Sequence, residues 1–297
     1  MTTAENLNRI IKAKSDIKQA IENKGVEVGD MTIDGYADKI NEITQSSKWV
    51  IPDGLSFGYS YCEKIDTENM DISNVTTMSS MFTNCYNITS LDLSSWDTSK
   101  VTNMAAMFNN CSYLYRIKGI ENFNTSKVTT MYNMFNMATR LETLDVSSWD
   151  TSEVTNMAGM FDMAQGLKTI TGIGNFNTSK VTDMKQMFSY CPVNELDLSS
   201  WDTSNVRDME GMFEDTYNIT SLDLSSWDTS NVRDMERMFR YCRKLTELRM
   251  GGDISKLDGW ARMFEGINTT GTFYYNSQYD YSKIISVLPS TWTAVPY

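Results

Sequence analysis

Three side-chain patterns in this chain could do chemistry. Methionines recur as Met-x-x-Met, as in Met104/Met107 and Met209/Met212, and thioethers at that spacing suit copper(I). An acid or amide recurs at Asp71, Asp97, Asn124, Asp150, Asn177, Asp202, Asp228 and Asp253, which could build a calcium ladder. A third row reads Asp92, Lys118, Asp145, Thr171, Asp197, Asp223 and Arg249. Its neighbours Asp197 and Asp223, at about 5 Å, would resemble the carboxylate pair of a retaining glycosidase. Histidine is absent, so His-based triads and His metal ligands are excluded.

Each pattern also has a plain structural reading, and the repeat favours it. The Met pairs continue into Phe on the same face, as a core stripe does. Asn replaces Asp in two copies of the second row, which suits capping more than calcium. Cations alternate with acids along the third row, which offsets repulsion in a stack. Cys85, Cys111, Cys191 and Cys242 occupy a slot that elsewhere holds Ala138, Ala164 and Thr216; this is a small buried site suited to free cysteine. Cys62 is off-phase. The expectation is a non-enzyme with no metal and no cofactor.

The elements that position these residues repeat. Met-Phe occurs at Met81, Met107, Met134, Met160, Met187, Met212, Met238 and Met263, in steps of 26, 27, 26, 27, 25, 26 and 25 residues. One such unit cannot bury a core alone, so the period predicts a solenoid. Leu91 and Leu93 alternate with polar residues as a short strand does. Val101, Met104, Met107 and Phe108 share one face of a short helix, with Asp97-Thr98-Ser99 as its cap. The predicted fold is an α/β solenoid, a leucine-rich-repeat-like stack of about eight units of 25–27 residues, each a short parallel strand plus a short helix. Gly119 and Gly172 lie at one-residue insertions, which predict a strand bulge or a longer loop. Pro192 shortens another unit.

The ends differ from the repeats. Residues 1–46 predict a helical attachment or oligomerisation module, with Leu7, Ile10, Ile11, Ile17 and Ile21 on one stripe and Tyr36, Ile40 and Ile43 on another. Residues 47–270 are the solenoid, and residues 271–297 an aromatic tail that reads as a cap or a carbohydrate platform. The later repeats are more charged: Arg207, Arg233, Arg237 and Arg240 lie among acids, either as a solvated face or as a docking patch. The net charge of −12 argues against nucleic-acid binding. No apolar run is long enough to span a membrane, and no export signal is read at the start.

The string Leu-Asp-Leu-Ser-Ser-Trp-Asp-Thr-Ser-x-Val-x-x-Met-x-x-Met-Phe-x-x-Cys-x-x-Leu resembles the repeat of BspA-like leucine-rich-repeat surface proteins over about residues 50–270. That resemblance implies adhesion. The segment from Ile11 to Gly25, followed by Tyr36-Ala-Asp-Lys-Ile40, is similar to a helical segment opening many phage structural proteins. Gly271-Thr-Phe-Tyr and Leu288-Pro-Ser-Thr-Trp292-Thr are similar to the C-terminal cap of phage-encoded repeat proteins. Together these imply a virion protein made in the bacterial host cytoplasm. Residues 1–46 would bind other virion proteins or trimerise, and the solenoid would meet a host-surface protein or glycan. The alternatives are a bacterial cell-surface adhesin exported without a standard signal, and a passive spacer. On either face, Asp92, Lys118, Asp145, Asp197, Asp223 and Arg249, with Arg207, Arg233, Arg237 and Arg240, are the surface-contact candidates.

Overall fold

The structure is a computed structural model that describes residue 19, residues 48–58 and residues 64–297. The predicted N-terminal module, with Leu7, Ile10, Ile11, Ile17, Ile21, Tyr36 and Ile40, lies outside the described residues, as does Cys62. The chain divides into two units. In the first, β1 (Trp49–Val50) pairs in parallel with β2 (Met70–Asp71). The second, Ile51–Glu68 with Ile72–Tyr297, is the solenoid.

Its strands are all parallel. They are β3 (Ser90–Asp92), β4 (Arg116–Lys118), β5 (Thr143–Asp145), β6 (Thr169–Thr171), β7 (Ser221–Leu224), β8 (Glu247–Met250), β9 (Gly271–Tyr275) and β10 (Trp292–Pro296). The central residues Leu91, Ile117, Leu144, Ile170, Leu222 and Leu248 are buried, as the alternation predicts. A second ladder, one residue wide, runs from Thr77 through Asn103, Thr130, Asn156, Asp183, Asp208 and Asp234 to Gly259.

The predicted helices do not form. The segment from Met78 to Cys85, and its copies, is a run of tight turns. A backbone with positive φ recurs every four residues: Ser80 and Asn84, Ala106 and Asn110, Asn133 and Met137, Gly159 and Met163, Gln186 and Tyr190. Alternate amides then leave the coil. Met78, Ser80, Phe82 and Asn84 donate to carbonyls of Asn103, Ala105, Met107 and Asn109 at 2.8–2.9 Å. The amides between them close turns, with Met81 donating to Met78 and Cys85 to Phe82, both at 3.1 Å.

Stack spacing explains the difference. Paired strands lie about 4.8 Å apart, whereas a helix with its side chains is about 10–12 Å across. A helix in every coil would splay the strands. The turn run rises by one strand spacing and satisfies its amides on the next coil. Each left-handed non-glycine residue costs about 1–2 kcal/mol, offset by those inter-coil bonds. The apolar spacing is the same for both backbones, so the core prediction survives: Val101, Met104, Met107 and Phe108 are all at 0% exposure.

The core is a continuous column of rings. Phe57, Phe82, Phe108, Phe135, Phe161, Phe188, Phe213, Phe239 and Phe264 stack with centroids 5.4–5.9 Å apart and planes within 16°. Each such contact is worth about 0.5–1.5 kcal/mol beyond burial. The Trp slot has a second reason. The indole N–H of Trp96, Trp149, Trp201 and Trp227 donates to a carbonyl of the preceding coil at 3.0–3.1 Å, so a large ring is buried with no unmet donor.

The inserted glycines make loops, not strand bulges. Gly119, at φ 85°, opens a short 3-10 turn over Ile120–Asn122, and Gly172, at φ 84°, does the same over Ile173–Asn175. A Cβ on Gly119 would lie 2.4 Å from Ser94 N, and one on Gly172 2.2 Å from Ser147 Cα, so both positions need glycine for φ and for space. Each loop leans on the coil before it. The sheet breaks after both: β3 pairs with β4 and β5 with β6, while β7 to β10 form a separate sheet.

The tail closes the last coil. Phe273, Tyr281 and Trp292 are buried, and Tyr281 Oη donates to Gly252 O at 2.8 Å. A one-turn helix, α1 (Ser282–Ile285), links β9 to β10. Tyr297 N donates to Tyr275 O and Tyr297 O accepts from Ser277 N, so strand alternation turns the polar groups of Ala294 and Pro296 outward. Pro296 has no N–H, and Trp292 N is bonded to Pro289 O. That edge offers Ala294 alone as a strand donor, which blunts it against pairing. The tail packs as a cap over the last coil.

Candidate surface-contact faces

The strand face carries the suspected carboxylate row. Each acid in it accepts from the serine two residues on: Asp92 from Ser94, Asp145 from Ser147, Asp197 from Ser199 and Asp223 from Ser225, with amide distances of 3.0–3.1 Å. Lys118 Nζ adds a 2.7 Å ion pair to Asp92. The Lys118 ammonium, then the Ser94 hydroxyl and amide, hold the Asp92 carboxyl down to about 2. The Ser147 and Ser199 hydroxyls, followed by their amides, hold Asp145 and Asp197 below the usual range. A glycosidase acid needs a raised value, and Asp197 moves the other way. Arg249 is in register with Asp223, but it donates to Glu247 at 2.9 Å and lies 4.0 Å over the Tyr274 ring.

The Asp/Asn row caps turns in place of helices. Oδ1 of Asp97, Asn124, Asp150, Asn177, Asp202, Asp228 and Asp253 accepts from the amide two residues on at 2.8–3.1 Å. Asn and Asp serve equally in such a turn. The threonine after this row is a contributor that spacing alone did not reveal. Thr98, Thr125, Thr151, Thr178, Thr203 and Thr229 are buried, and each hydroxyl donates to the next coil's Asp/Asn carbonyl at 2.7–3.0 Å.

The cysteine slot is small and buried, and it also holds a donor. Cys111 and Cys242 Sγ donate to Phe82 O and Phe213 O at 3.0 Å, and Thr216 Oγ1 does the same to Phe188 O at 3.0 Å. That shared bond is why Thr can replace Cys. Burial pushes the Cys111 and Cys242 thiols far up and Cys191 to about 12, so these are inert thiols. Met104, Met107, Met209 and Met212 are fully enclosed beside the ring column.

The turn face differs along its length. In early coils its polar groups are neutral: Asn109 donates to Asn136 at 3.3 Å and Asn110 to Asn84 at 2.9 Å. In late coils they are charged. Lys185 and Arg237 both pair with Glu210, and Arg240 bridges Glu214 at 2.9 Å and Glu265 at 3.2 Å while stacking on Tyr241. Of the predicted arginines, Arg237 and Arg240 are therefore held in ion pairs within the chain. Arg233 reaches Asp258 at 3.7 Å with both side chains exposed, and Arg207 has no ion pair among the described residues. The narrow ladder turns acidic here too. Asp208 is pushed up to about 6 by burial, then by Asp183 and Asp234 on either side, with Lys185 opposing.

A surface that sequence reading passed over lies in the first coils. Tyr113 and Tyr115 are 47% and 58% exposed, either side of the buried Leu114. Tyr113, with Lys64, Asn87 and Thr89, lines a groove of about 450 Å³. Tyr115, with Arg116, Glu121, Thr143 and Asp145, lines another of about 270 Å³ where the sheet breaks between β4 and β5. The signal was available as tyrosines at two polar repeat slots.

Two solved structures are similar in part. One is a leucine-rich repeat protein from Bacteroides ovatus, at 12% identity over 75% of this chain and 78% of that chain, with TM-score 0.24. The other is a TLR13–ssRNA13 complex, at 13% identity over 75% of this chain and 49% of that chain, with TM-score 0.18. No curated protein matches the sequence. The family model described as "Mycoplasma protein of unknown function, DUF285" matches residues 55–169, 112–192 and 163–275, over the same coils that resemble the BspA-like repeat. The chain is a repeat solenoid that belongs to the DUF285 family.

Proposed function

We propose that this chain is a non-enzymatic phage virion protein, with residues 1–46 attaching to the particle and the solenoid presenting a surface for host adhesion. One observation carries the non-enzymatic part: the candidate carboxylates of the strand face already accept bonds from their own serines. They hold corners in shape and carry lowered proton affinity where a shift is resolved, so the row offers no acid–base pair. The resemblance of residues 11–40 and of the tail to phage proteins supports the particle assignment, and the BspA-like repeat supports adhesion. On this reading the protein is made in the bacterial cytoplasm and displayed outside on the virion.

Mass spectrometry of purified particles is the test. The protein is expected in intact virions, and its absence from them contradicts the assignment. A second reading, a bacterial cell-surface adhesin, is favoured by the repeat match over residues 55–275. Cell fractionation separates the two, since that reading expects the protein in the envelope fraction of uninfected cells.

A further inference from the structure

We infer that the first coils hold a binding site for an acidic saccharide, on the ridge from Tyr113 to Arg116. It deepens the adhesion reading above by naming the contact site and its ligand class. Four observations converge on it.

The first is aromatic. Tyr113 and Tyr115 are both exposed, either side of buried Leu114. An exposed ring beside polar groups offers an apolar face to a sugar ring and a hydroxyl to its edge. Arg140 already lies over the Tyr113 ring, at 4.3 Å from its centroid, which fixes that ring before any ligand arrives.

The second is shape. The ridge separates the two grooves of about 450 and 270 Å³, near the lower end of the usual range for small-ligand sites. Tyr113 lines the first and Tyr115 the second.

The third is unpaired backbone. Leu93 N donates to Lys118 O, and Val146 N donates to Thr171 O. Strand alternation therefore turns the N–H and C=O of Ile117, Thr143 and Asp145 toward the break between β4 and β5, which share no sheet. Polar backbone groups at a groove wall need partners, and sugar hydroxyls both donate and accept.

The fourth is charge. The chain carries −12 overall, yet Lys64, Arg116 and Arg140 flank this ridge exposed and with no ion pair among the described residues. Lys118 beside them is paired with Asp92, and in the late coils Lys185, Arg237 and Arg240 are paired while Arg207 has no ion pair among the described residues. Free guanidinium groups match a carboxylate in two-point geometry. That selects a sugar acid over a neutral sugar.

The test is a binding titration on the full chain, by saturation-transfer NMR. N-acetylneuraminic acid and glucuronic acid are the acidic probes, and N-acetylglucosamine and glucose the neutral ones. At least one acidic sugar is expected to bind about tenfold more tightly than both neutral ones. Tyr115→Ala is expected to weaken it about tenfold. Arg116→Gln with Arg140→Gln should remove the preference for acid. Tyr217→Ala, an exposed tyrosine outside both grooves, should change nothing. Equal binding of acidic and neutral sugars, no effect of Tyr115→Ala, or displacement of the sugar by a polyglutamate peptide at equal carboxylate concentration would overturn the inference. Host-cell adsorption by a protein that binds no sugar would sink this site and spare the adhesion reading. Sugar binding without adsorption would do the reverse.

Discussion

The early and late coils share a backbone and a ring column but join their polar rows differently. From Asn84 to Asn136 the turn face is tied by side-chain amides. From Lys185 to Glu265 it is tied by Lys–Glu and Arg–Glu pairs. The narrow ladder changes in step, from Thr77, Asn103, Thr130 and Asn156 to Asp183, Asp208 and Asp234. On the turn face of the late coils Lys185, Arg237 and Arg240 are held by Glu210, Glu214 and Glu265, while Arg116 and Arg140 in the early coils have no ion pair among the described residues. Which end meets a partner is therefore a question of which cations keep their guanidinium or ammonium free of internal ion pairs.

Breaking the partners of the two halves should give unequal losses. Arg240→Ala leaves Glu214, whose side chain is 5% exposed, as a buried carboxylate without its cation, and is expected to cost about 3–5 kcal/mol by denaturant unfolding. Asn136→Ala removes its bonds to Asn109 and Asp162 and is expected to cost about 1 kcal/mol. Equal losses would remove the distinction.

Acid should also separate the halves. The folded Asp208 carboxyl is raised to about 6, so the native state holds that proton more tightly than the unfolded chain. Lowering the pH from above 6 toward the unfolded value near 4 therefore adds stability at the late coils. Asp92 and Asp145, in earlier coils, are lowered, so their contribution holds in that window and is lost only in stronger acid. Protection factors, exchange rates corrected for the intrinsic pH dependence, should rise around Asp208 between pH 7.5 and 5.5, and Asp208→Asn should abolish that rise.

The smallest contrast uses one backbone slot. Ala106 and Arg237 sit at equivalent positive-φ positions, 54° and 57°. Ala106→Gly relieves strain and is expected to stabilise by about 0.5–1 kcal/mol. Arg237→Gly relieves the same strain but strips a partner from Glu210, so a net loss is expected. Thermal melts of both variants check the signs.

The solenoid, the strand residues and the buried Met, Phe and Cys positions were legible because the apolar spacing repeats without ambiguity. The turn run was not, since burial at Val101, Met104, Met107 and Phe108 suits a helix equally well. What decides is the spacing of neighbouring coils, a property of the stack and not of any single unit. A hint was present: Asn110, Asn133, Gly159, Gly211 and Gly266 fall in the left-handed slots, and Asn and Gly tolerate that conformation best. The Asp208 ladder was readable by aligning the second residue after each Val. The Tyr113–Tyr115 ridge depends on the break after Gly119, which spacing showed only as an insertion.

The central claim is that contact belongs to the early coils. Adsorption of the purified full chain to host cells tests it, comparing Tyr113→Ala/Tyr115→Ala with Arg207→Ala/Arg233→Ala. The account predicts that the tyrosine pair loses adsorption about tenfold or more while the arginine pair keeps it. Full adsorption by the tyrosine variant, with loss in the arginine variant, would contradict it.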